Sequence, residues 1–266
     1  MVLSIIVVSH NSSEFILSCL NSIRNCLNRI AYEIIIVDNH SRDGSPRLIR
    51  EKFPDLCLIE NVKNLGLATA VNQGFRKAKG KYLLILNPDV RLLPGSVEKA
   101  ITFLEKNPDV GILLPKLLNP DGSLQFSCRS FFNFPYLLFR RTPLGKIFPN
   151  HRVIREHFMM NWDHADPREV DWGLGGCMFL RREAVRGGEV FDERFFLYME
   201  DVDLCFRMKA NGWKVIYYPE AVMIHAHVRE SARGIFNRAK WEHLKSMIKF
   251  YRKYGGFSPR ISGKDA

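Results

Sequence analysis

Three acidic positions in this chain carry residue types able to do chemistry: Asp38, Asp89 and the cluster Glu200-Asp201-Asp203. A carboxylate held in a cleft can take a proton or face a cation. Asp89 closes the stretch "KYLLILNPDV" (81–90), in which five apolar residues run on and then stop at Asn87-Pro88-Asp89. Proline cannot donate to a sheet ladder and fixes the chain direction. The stretch is therefore either a plain strand exit or a device that aims Asp89 into a cleft. Asp38 ends "YEIIIVD" and has an alternative as a turn former, since Asp and Asn bond their own backbone. Asp201 and Asp203, at the start of a helix, could equally complement its macrodipole.

The elements that position these acids follow from hydrophobic patterning. "LSIIVVS" is a continuous apolar, β-branched run and "YEIIIVDNHS" carries a second. Between them Phe15, Ile16, Cys19, Leu20, Ile23 and Leu27 recur at helical spacing, with Ser12 or Ser13 as N-cap. A helix over 45–52, a short strand over 56–60, a helix in "GLATAVNQGFRKA" and a fourth strand over 81–86 complete the first half. Alternating strand and helix predicts an α/β fold, a mostly parallel central sheet with helices on both faces. Ligands of such sheets sit beyond the carboxyl ends of the strands. Ser9-His10-Asn11, Asp38-Asn39 and Asn87-Pro88-Asp89 all fall there.

After residue 110 the pattern loosens. Residues 126–160 mix Phe126, Phe131, Phe132, Phe134 and Tyr136 with Arg129, Arg140, Arg141 and Lys146, which predicts a long excursion with short helices. Order returns in "VDWGLGGCMFLRREAV", a strand beside a Gly-rich turn. A helix starts near Glu200 and stops at Asn211-Gly212, and "KVIYYP" is a late strand.

Composition bounds the function. The chain has 266 residues, 46% hydrophobic and 25% charged, the balance of an ordinary globular protein with length for a full core. The apolar start lacks a basic lead and runs into Asn11-Ser12-Ser13, favouring a first strand over a signal peptide. Apolar stretches all fall short of the roughly 20 residues a spanning helix needs. The six cysteines show no paired ligand spacing, which fits free thiols in a reducing cytoplasm. Net charge is +11, and residues 229–266 hold ten Lys and Arg against three Asp and Glu, leaving 29 against 25 in the rest. The basic character belongs to the tail.

Seven blocks in order carry a resemblance: "VVSHN" (7–11), "VDNHSRDGS" (37–45), "NLGLATAVNQG" (64–74), "LNPDV" (86–90), "VDWGLGGCMFLRREA" (170–184), "FDERFFLYMEDVDLCFR" (191–207) and "IHAHVRES" (224–231). Over roughly residues 3–254 the chain resembles the inverting family-two glycosyltransferases of the GT-A fold, in particular bacterial rhamnosyltransferase-like members that build cell-surface polysaccharide. The resemblance implies a GT-A catalytic domain over 1–228, with a nucleotide-sugar half (1–110) and an acceptor half (111–228), followed by a basic helical extension over 229–266. It implies a divalent cation, Mg²⁺ or Mn²⁺, acting as Lewis acid on the donor diphosphate, with Asp89 and His225 as its protein ligands. Asn87 stands where the family's Asp-x-Asp motif has its first acid. For His225 the alternative is a buried structural histidine.

By the same resemblance Ser9, Asn11, Asp38, Asn64, Gly66 and Asp89 bind the donor nucleotide, and Asp201 is the general base that takes the acceptor proton. Trp172, Gly175, Gly176 and Glu200 are placed on the sugar or acceptor, with core packing as the alternative for Trp172. The implied reaction moves a sugar, first rhamnose from deoxythymidine-diphosphate rhamnose (dTDP-rhamnose), onto a glycan or polyprenyl-linked acceptor. A sugar nucleotidyltransferase would carry a Gly-rich basic loop after the first strand, and "SHNSSEF" has neither feature. A non-catalytic carbohydrate-binding protein would have no need of an acid at 201.

In the tail Trp241, Leu244, Met247, Ile248 and Tyr251 share one helical face, with Arg238, Lys245, Lys249 and Arg252 beside it. Such a helix docks on the body by its apolar stripe or lies on an anionic membrane. The second option would place the protein at the cytoplasmic face of the cell membrane. No nucleic-acid motif accompanies the charge, so nucleic acid is not an expected partner.

Overall fold

The structure is a computed structural model that describes residues 1–132, 134–141, 147–226 and 238–256. Four parallel strands form one side of the sheet: β1 (Leu3–Ser9), β2 (Tyr32–Asp38), β3 (Cys57–Glu60) and β4 (Tyr82–Leu86). The other side is built from β5 (Val90–Leu92), β6 (Val110–Leu118), β11 (Cys177–Arg181) and β12 (Lys214–His225). The spatial order is β3-β2-β1-β4-β11-β6-β12-β5. Short strands β7 (Leu124–Gln125) and β9 (Arg168–Glu169) add to β6 and β12, and β8 (Cys128–Arg129) pairs with β10 (Trp172–Gly173) apart from the main sheet.

The continuous apolar runs exist because both faces of the sheet are covered. Leu3, Ile5 and Val7 of β1 point into a core closed by α1 (Ile16–Cys26), α2 (Ser45–Lys52) and α4 (Ser96–Lys106). Ile6 and Val8 point into a second core closed by α3 (Leu67–Lys77), α7 (Glu200–Ala210) and α8 (Arg238–Tyr254). Among the described residues, the short helices α5 (Phe134–Arg141) and α6 (Arg152–His157) lie in the aromatic excursion. The mostly parallel α/β sheet with helices on both faces is thus as expected.

Register places the candidate residues. Ser9 pairs with Asp38 and Val7 with Leu86, so β1, β2 and β4 end along one edge. β11 runs antiparallel to β4 with Cys177 opposite Leu86, which brings Gly176 to Asn87; the Asn87 N–H donates to the Gly176 carbonyl at 2.8 Å. β12 ends with His225 opposite Val90, and the Ala226 N–H donates to the Asp89 carbonyl at 3.0 Å.

The structure differs from the sequence reading at several elements. β6, nine residues in the middle of the sheet, lies where the pattern loosens, because Gly111 and Pro115 interrupt the apolar run. α4 was not anticipated. Neither Ser12 nor Ser13 caps α1, which starts without a side-chain cap. Ser12 hydroxyl meets Ser9 hydroxyl at 2.7 Å, and the Ser13 N–H donates to Asp43 at 2.7 Å. Both serines tie the loop to the α2 entrance. In α8 the buried face is rotated from the expected stripe: Trp241 is 57% and Ile248 44% exposed, while Phe250 is fully buried and Tyr251 buried. All six cysteines are free thiols. Parts of the block 224–231 and of the extension 229–266 lie outside the described residues, as do Lys146 and the side chains of Arg140, Arg141, Phe134 and Arg238.

Candidate active site

Two clusters of polar side chains form at the strand ends. The first joins the ends of β1 and β2. Asp38 is buried; one carboxylate oxygen accepts the Ser41 N–H at 2.9 Å and the other has no protein partner. An orphaned buried acceptor carries a desolvation cost unless a ligand donates to it. Asn39 donates to Asn64 Oδ1 at 3.0 Å and to the Gly66 carbonyl at 3.1 Å, and accepts the Leu65 N–H at 2.9 Å. Asn11, in the left-handed region at φ 50°, accepts the Arg42 N–H at 2.8 Å. Ser9, Asn11, Asp38, Asn64 and Gly66 therefore share one hydrogen-bonded cluster. The space vacated by the Gly66 side chain is taken by the chain itself: a Cβ there would lie 2.5 Å from the Phe196 carbonyl oxygen.

The second cluster lines a cavity of about 470 Å³, within the range of small-molecule sites. Asp89, His225, Glu200, Asp201 and Trp172 face it together with Gly175 and Gly176. Asp38 and its neighbours are not in that wall, although Leu67, next to Gly66, is. Asp89 Oδ1 lies 3.4 Å from His225 Nε2. On the far side of the ring His225 Nδ1 is 2.7 Å from Gln125 Oε1, while the Gln125 amide nitrogen donates to Asn119 at 2.9 Å. Gln125 therefore accepts from Nδ1–H, and the ring turns Nε2 toward the Asp89 carboxylate.

This pair fits a hard divalent cation. A ligating histidine is usually held by a hydrogen bond from its other ring nitrogen, as Gln125 holds His225 here. Mg²⁺-type ions take one or two protein ligands and leave the remaining positions to water and phosphate. Among the described residues no group of three His, Cys, Asp or Glu gathers to hold a metal. Gly176 keeps the approach open: a Cβ there would meet Asn87 Nδ2 at 3.1 Å and His225 Cε1 at 3.2 Å.

Asp201 also lines the cavity. Its Oδ2 accepts the Gly175 N–H at 3.0 Å and its Oδ1 the Val202 N–H at 2.8 Å. Burial raises its carboxyl pKa, and those two N–H groups together with the Arg129 charge oppose the rise. Glu200, buried beside it, is pushed well above the ordinary carboxylate range by burial first and by Asp201 second. Glu200 Oε2 has no hydrogen-bond partner. Trp172 is buried, with its indole N–H donated to the Ser130 carbonyl at 3.0 Å and its ring 5.7 Å from Phe132. It packs in the core and presents one edge to the cavity.

Sequence reasoning missed Gln125, Arg129 and His243. Gln125 is a single polar residue in a two-residue strand and gives no signal. Arg129 is buried, stacked 4.2 Å over Phe158, and its guanidinium donates to the Cys128 carbonyl at 2.7 Å. A basic residue inside an aromatic run was the available hint.

Comparison with known proteins follows from this geometry. Residues 4–186 match the family "Glycosyl transferase family 2", and residues 145–258 match "Glycosyl transferase family group 2". The chain belongs to glycosyltransferase family 2. It is 29% identical over 237 residues to the N-acetylglucosaminyl-diphospho-decaprenol L-rhamnosyltransferase of Mycobacterium tuberculosis, covering 84% of this chain and 76% of that one. The crystal structure of Staphylococcus aureus TarS 1–349 with UDP-GlcNAc superposes with a TM-score of 0.65 at 16% identity, over 98% of this chain and 69% of that one. The mannosyltransferase PcManGT of Pyrobaculum calidifontis, solved with GDP-Man and Mn²⁺, superposes at 0.58 with 18% identity, over 96% and 76%. These two likenesses establish the fold. Family 2 membership makes the chain a glycosyltransferase that uses a nucleotide-sugar donor, which sets aside the nucleotidyltransferase and the non-catalytic binder; its likeness among relatives is to rhamnosyltransferases.

Proposed function

We propose that this glycosyltransferase transfers rhamnose, with inversion, from dTDP-rhamnose to a lipid-diphosphate-linked sugar in the assembly of a cell-surface polysaccharide. The observation that carries the reading is the sharing of one cavity by Asp201 and the Asp89–His225 pair. Inversion needs the acceptor hydroxyl and the leaving diphosphate on opposite faces of the anomeric carbon, with a base on the hydroxyl side. Asp201 is the base. Its two backbone N–H bonds hold the carboxylate in place, and burial makes it a stronger base than a surface aspartate. Glu200 keeps its proton and offers an O–H to a sugar hydroxyl.

On the donor side Asp89 and His225 Nε2 would hold Mg²⁺ or Mn²⁺, and the bound cation would supply charge stabilisation to the departing diphosphate. Asp38, through its orphaned oxygen, accepts from the nucleobase, flanked by Ser9, Asn11 and Asn64. Trp172, Gly175 and Gly176 shape the sugar end. The choice of rhamnose and of a polyprenyl-linked acceptor rests on the family and on the mycobacterial relative's name.

The test is transfer from dTDP-rhamnose to N-acetylglucosaminyl-diphosphate-polyprenol, with the anomeric configuration of the product read by NMR. Asp201→Asn should bind donor as before while turnover falls on the order of 10²- to 10⁴-fold. Near-normal turnover would remove Asp201 from the role, and a retained configuration would sink the inverting mechanism.

An exposed stripe on α8, Trp241, Lys245, Ile248, Lys249 and Arg252, supports a further part of the reading. Aromatic and basic residues on one helical face suit the surface of an anionic bilayer, where a lipid-linked acceptor resides. No helix among the described residues is long and apolar enough to cross a membrane.

A further inference from the structure

We propose that α8 is a positioning element of the active site, a clamp that fixes the segment 190–199 and through it the aim of Glu200-Asp201. The inference rests on the reading of Asp201 as the base. Segment 190–199 is irregular chain leading straight into α7, and it ends in two successive non-glycine residues in the left-handed region, Tyr198 (φ 65°) and Met199 (φ 71°). Such a pair is disfavoured and persists only where the surroundings determine it. The direction in which Asp201 leaves α7's first turn depends on that pair.

α8 supplies the determination through side chains one turn apart. Lys253 binds Asp192 at 2.8 Å, Lys249 donates to the Arg194 carbonyl at 2.7 Å, and Ser246 to the Leu197 carbonyl at 2.9 Å. The ring of His243 lies 5.1 Å from that of Tyr198. As the segment advances toward Asp201, its contacts step back along the helix turn by turn, and the last of them, Tyr198 and His243, both line the cavity.

The helix is also tied to α7 itself. Asp203 is fully buried and accepts from Arg207 at 2.8 Å, Lys253 at 2.5 Å and Tyr254 at 2.8 Å. Lys253 thus bridges Asp192 at the start of the segment to Asp203 just past Asp201. Burial alone would raise the Asp192 carboxyl, but hydrogen bonds from Arg194 and Lys253 take it below the ordinary carboxylate range, so the bridge is ionic. From the opposite side Asn72 of α3 accepts the N–H groups of Val190 and Phe191 at 3.0 and 3.1 Å, and Leu67 donates to the Phe196 carbonyl at 2.8 Å. The segment is held between the donor half and α8.

The experiment compares Lys253→Met, Lys253→Arg and Ser246→Ala with wild type in steady-state transfer and in hydrogen exchange of amides 196–203. Lys253→Met should lower kcat on the order of ten- to a hundredfold, the scale of a small misplacement of a catalytic group. The donor KM should change less than kcat, because Lys253 bonds to Asp192 and Asp203 and to no residue of the nucleotide cluster. Lys253→Arg, able to reach both carboxylates, should restore most of kcat, and exchange at 196–203 should quicken in Lys253→Met. Wild-type kcat and exchange in both Lys253→Met and Ser246→Ala would overturn the clamp. Should Lys253→Met not fold, Ser246→Ala, which removes one neutral bond, decides by the same two readouts. A wild-type protein that transfers no sugar while Lys253→Met quickens exchange would remove the base reading and leave the clamp standing.

Discussion

Glu200 and Asp201 are neighbours in sequence, and their surroundings separate them. Asp201 has two N–H groups on its carboxylate and opens partly to the cavity; Glu200 is buried with an oxygen that nothing in the protein satisfies. Burial and the adjacent negative charge favour a protonated Glu200, so the pair titrates in two steps with Asp201 losing its proton first. Glu200→Gln, a mimic of the protonated acid, should keep turnover within a few-fold of wild type where Asp201→Asn collapses it. The sign for stability also follows. A carboxyl whose folded pKa is raised contributes stability below its unfolded value near 4.5 and loses it as pH rises toward the folded value. Glu200→Gln should therefore melt higher than wild type, by a margin that widens as pH rises above about 4.5. For catalysis the base must be ionised, so kcat should fall as the pH drops through an Asp201 pKa above the ordinary 3.8. An acidic limb at or below 3.8, or a dead Glu200→Gln enzyme, would reverse these assignments.

At the scale of elements, residues 1–110 were legible because parallel strands covered on both faces read as unbroken apolar runs, and β1, β2 and β4 all end in polar residues that register aligns. The stretch after residue 110 was less so. β6 hides behind Gly111 and Pro115, and β8 and β10 are two residues each, too short for any period. Asp89 and His225 could be picked out from their motifs, but Gln125, which orients His225 from 100 residues away, could not, since only antiparallel pairing of β6 with β7 brings it near. The α8 wheel failed for a different reason. A helix with Trp241, Ile248, Phe250, Tyr251 and Tyr254 has apolar residues on several faces, and the buried one is selected by Lys253 and Ser246 seeking polar partners on the body. Phe250→Ala should cost about 3–5 kcal/mol in urea unfolding, as for a fully buried aromatic. Trp241→Ala should stay within about 0.5 kcal/mol. Equal costs would mean that the helix is turned differently on the body.

At the scale of the whole molecule, the charge distribution and the position of α8 act together. The body is nearly balanced, and the excess of Lys and Arg lies in residues 229–266. α8 turns one face inward to hold the segment before Asp201, with Lys249 reaching over to the Arg194 carbonyl, and the other outward with Trp241, Lys245, Ile248 and Arg252. A bilayer contact on that outer face would set the cavity, whose wall includes His243 of the same helix, beside the lipid surface. Basic residues near an anionic surface contribute about 1 kcal/mol each and are screened by salt. Sedimentation with vesicles of phosphatidylglycerol and phosphatidylcholine should therefore capture the protein at low salt, and weaken as salt rises. A Trp241→Ala, Lys245→Ala, Ile248→Ala triple variant leaves Ser246, Lys253 and Phe250 in place, so it should lose vesicle binding while keeping its melting temperature and its turnover of a water-soluble acceptor. Unchanged sedimentation in that variant, or binding to neutral vesicles as strong as to anionic ones, would remove the membrane from the account, and the clamp would then be the sole work of the helix.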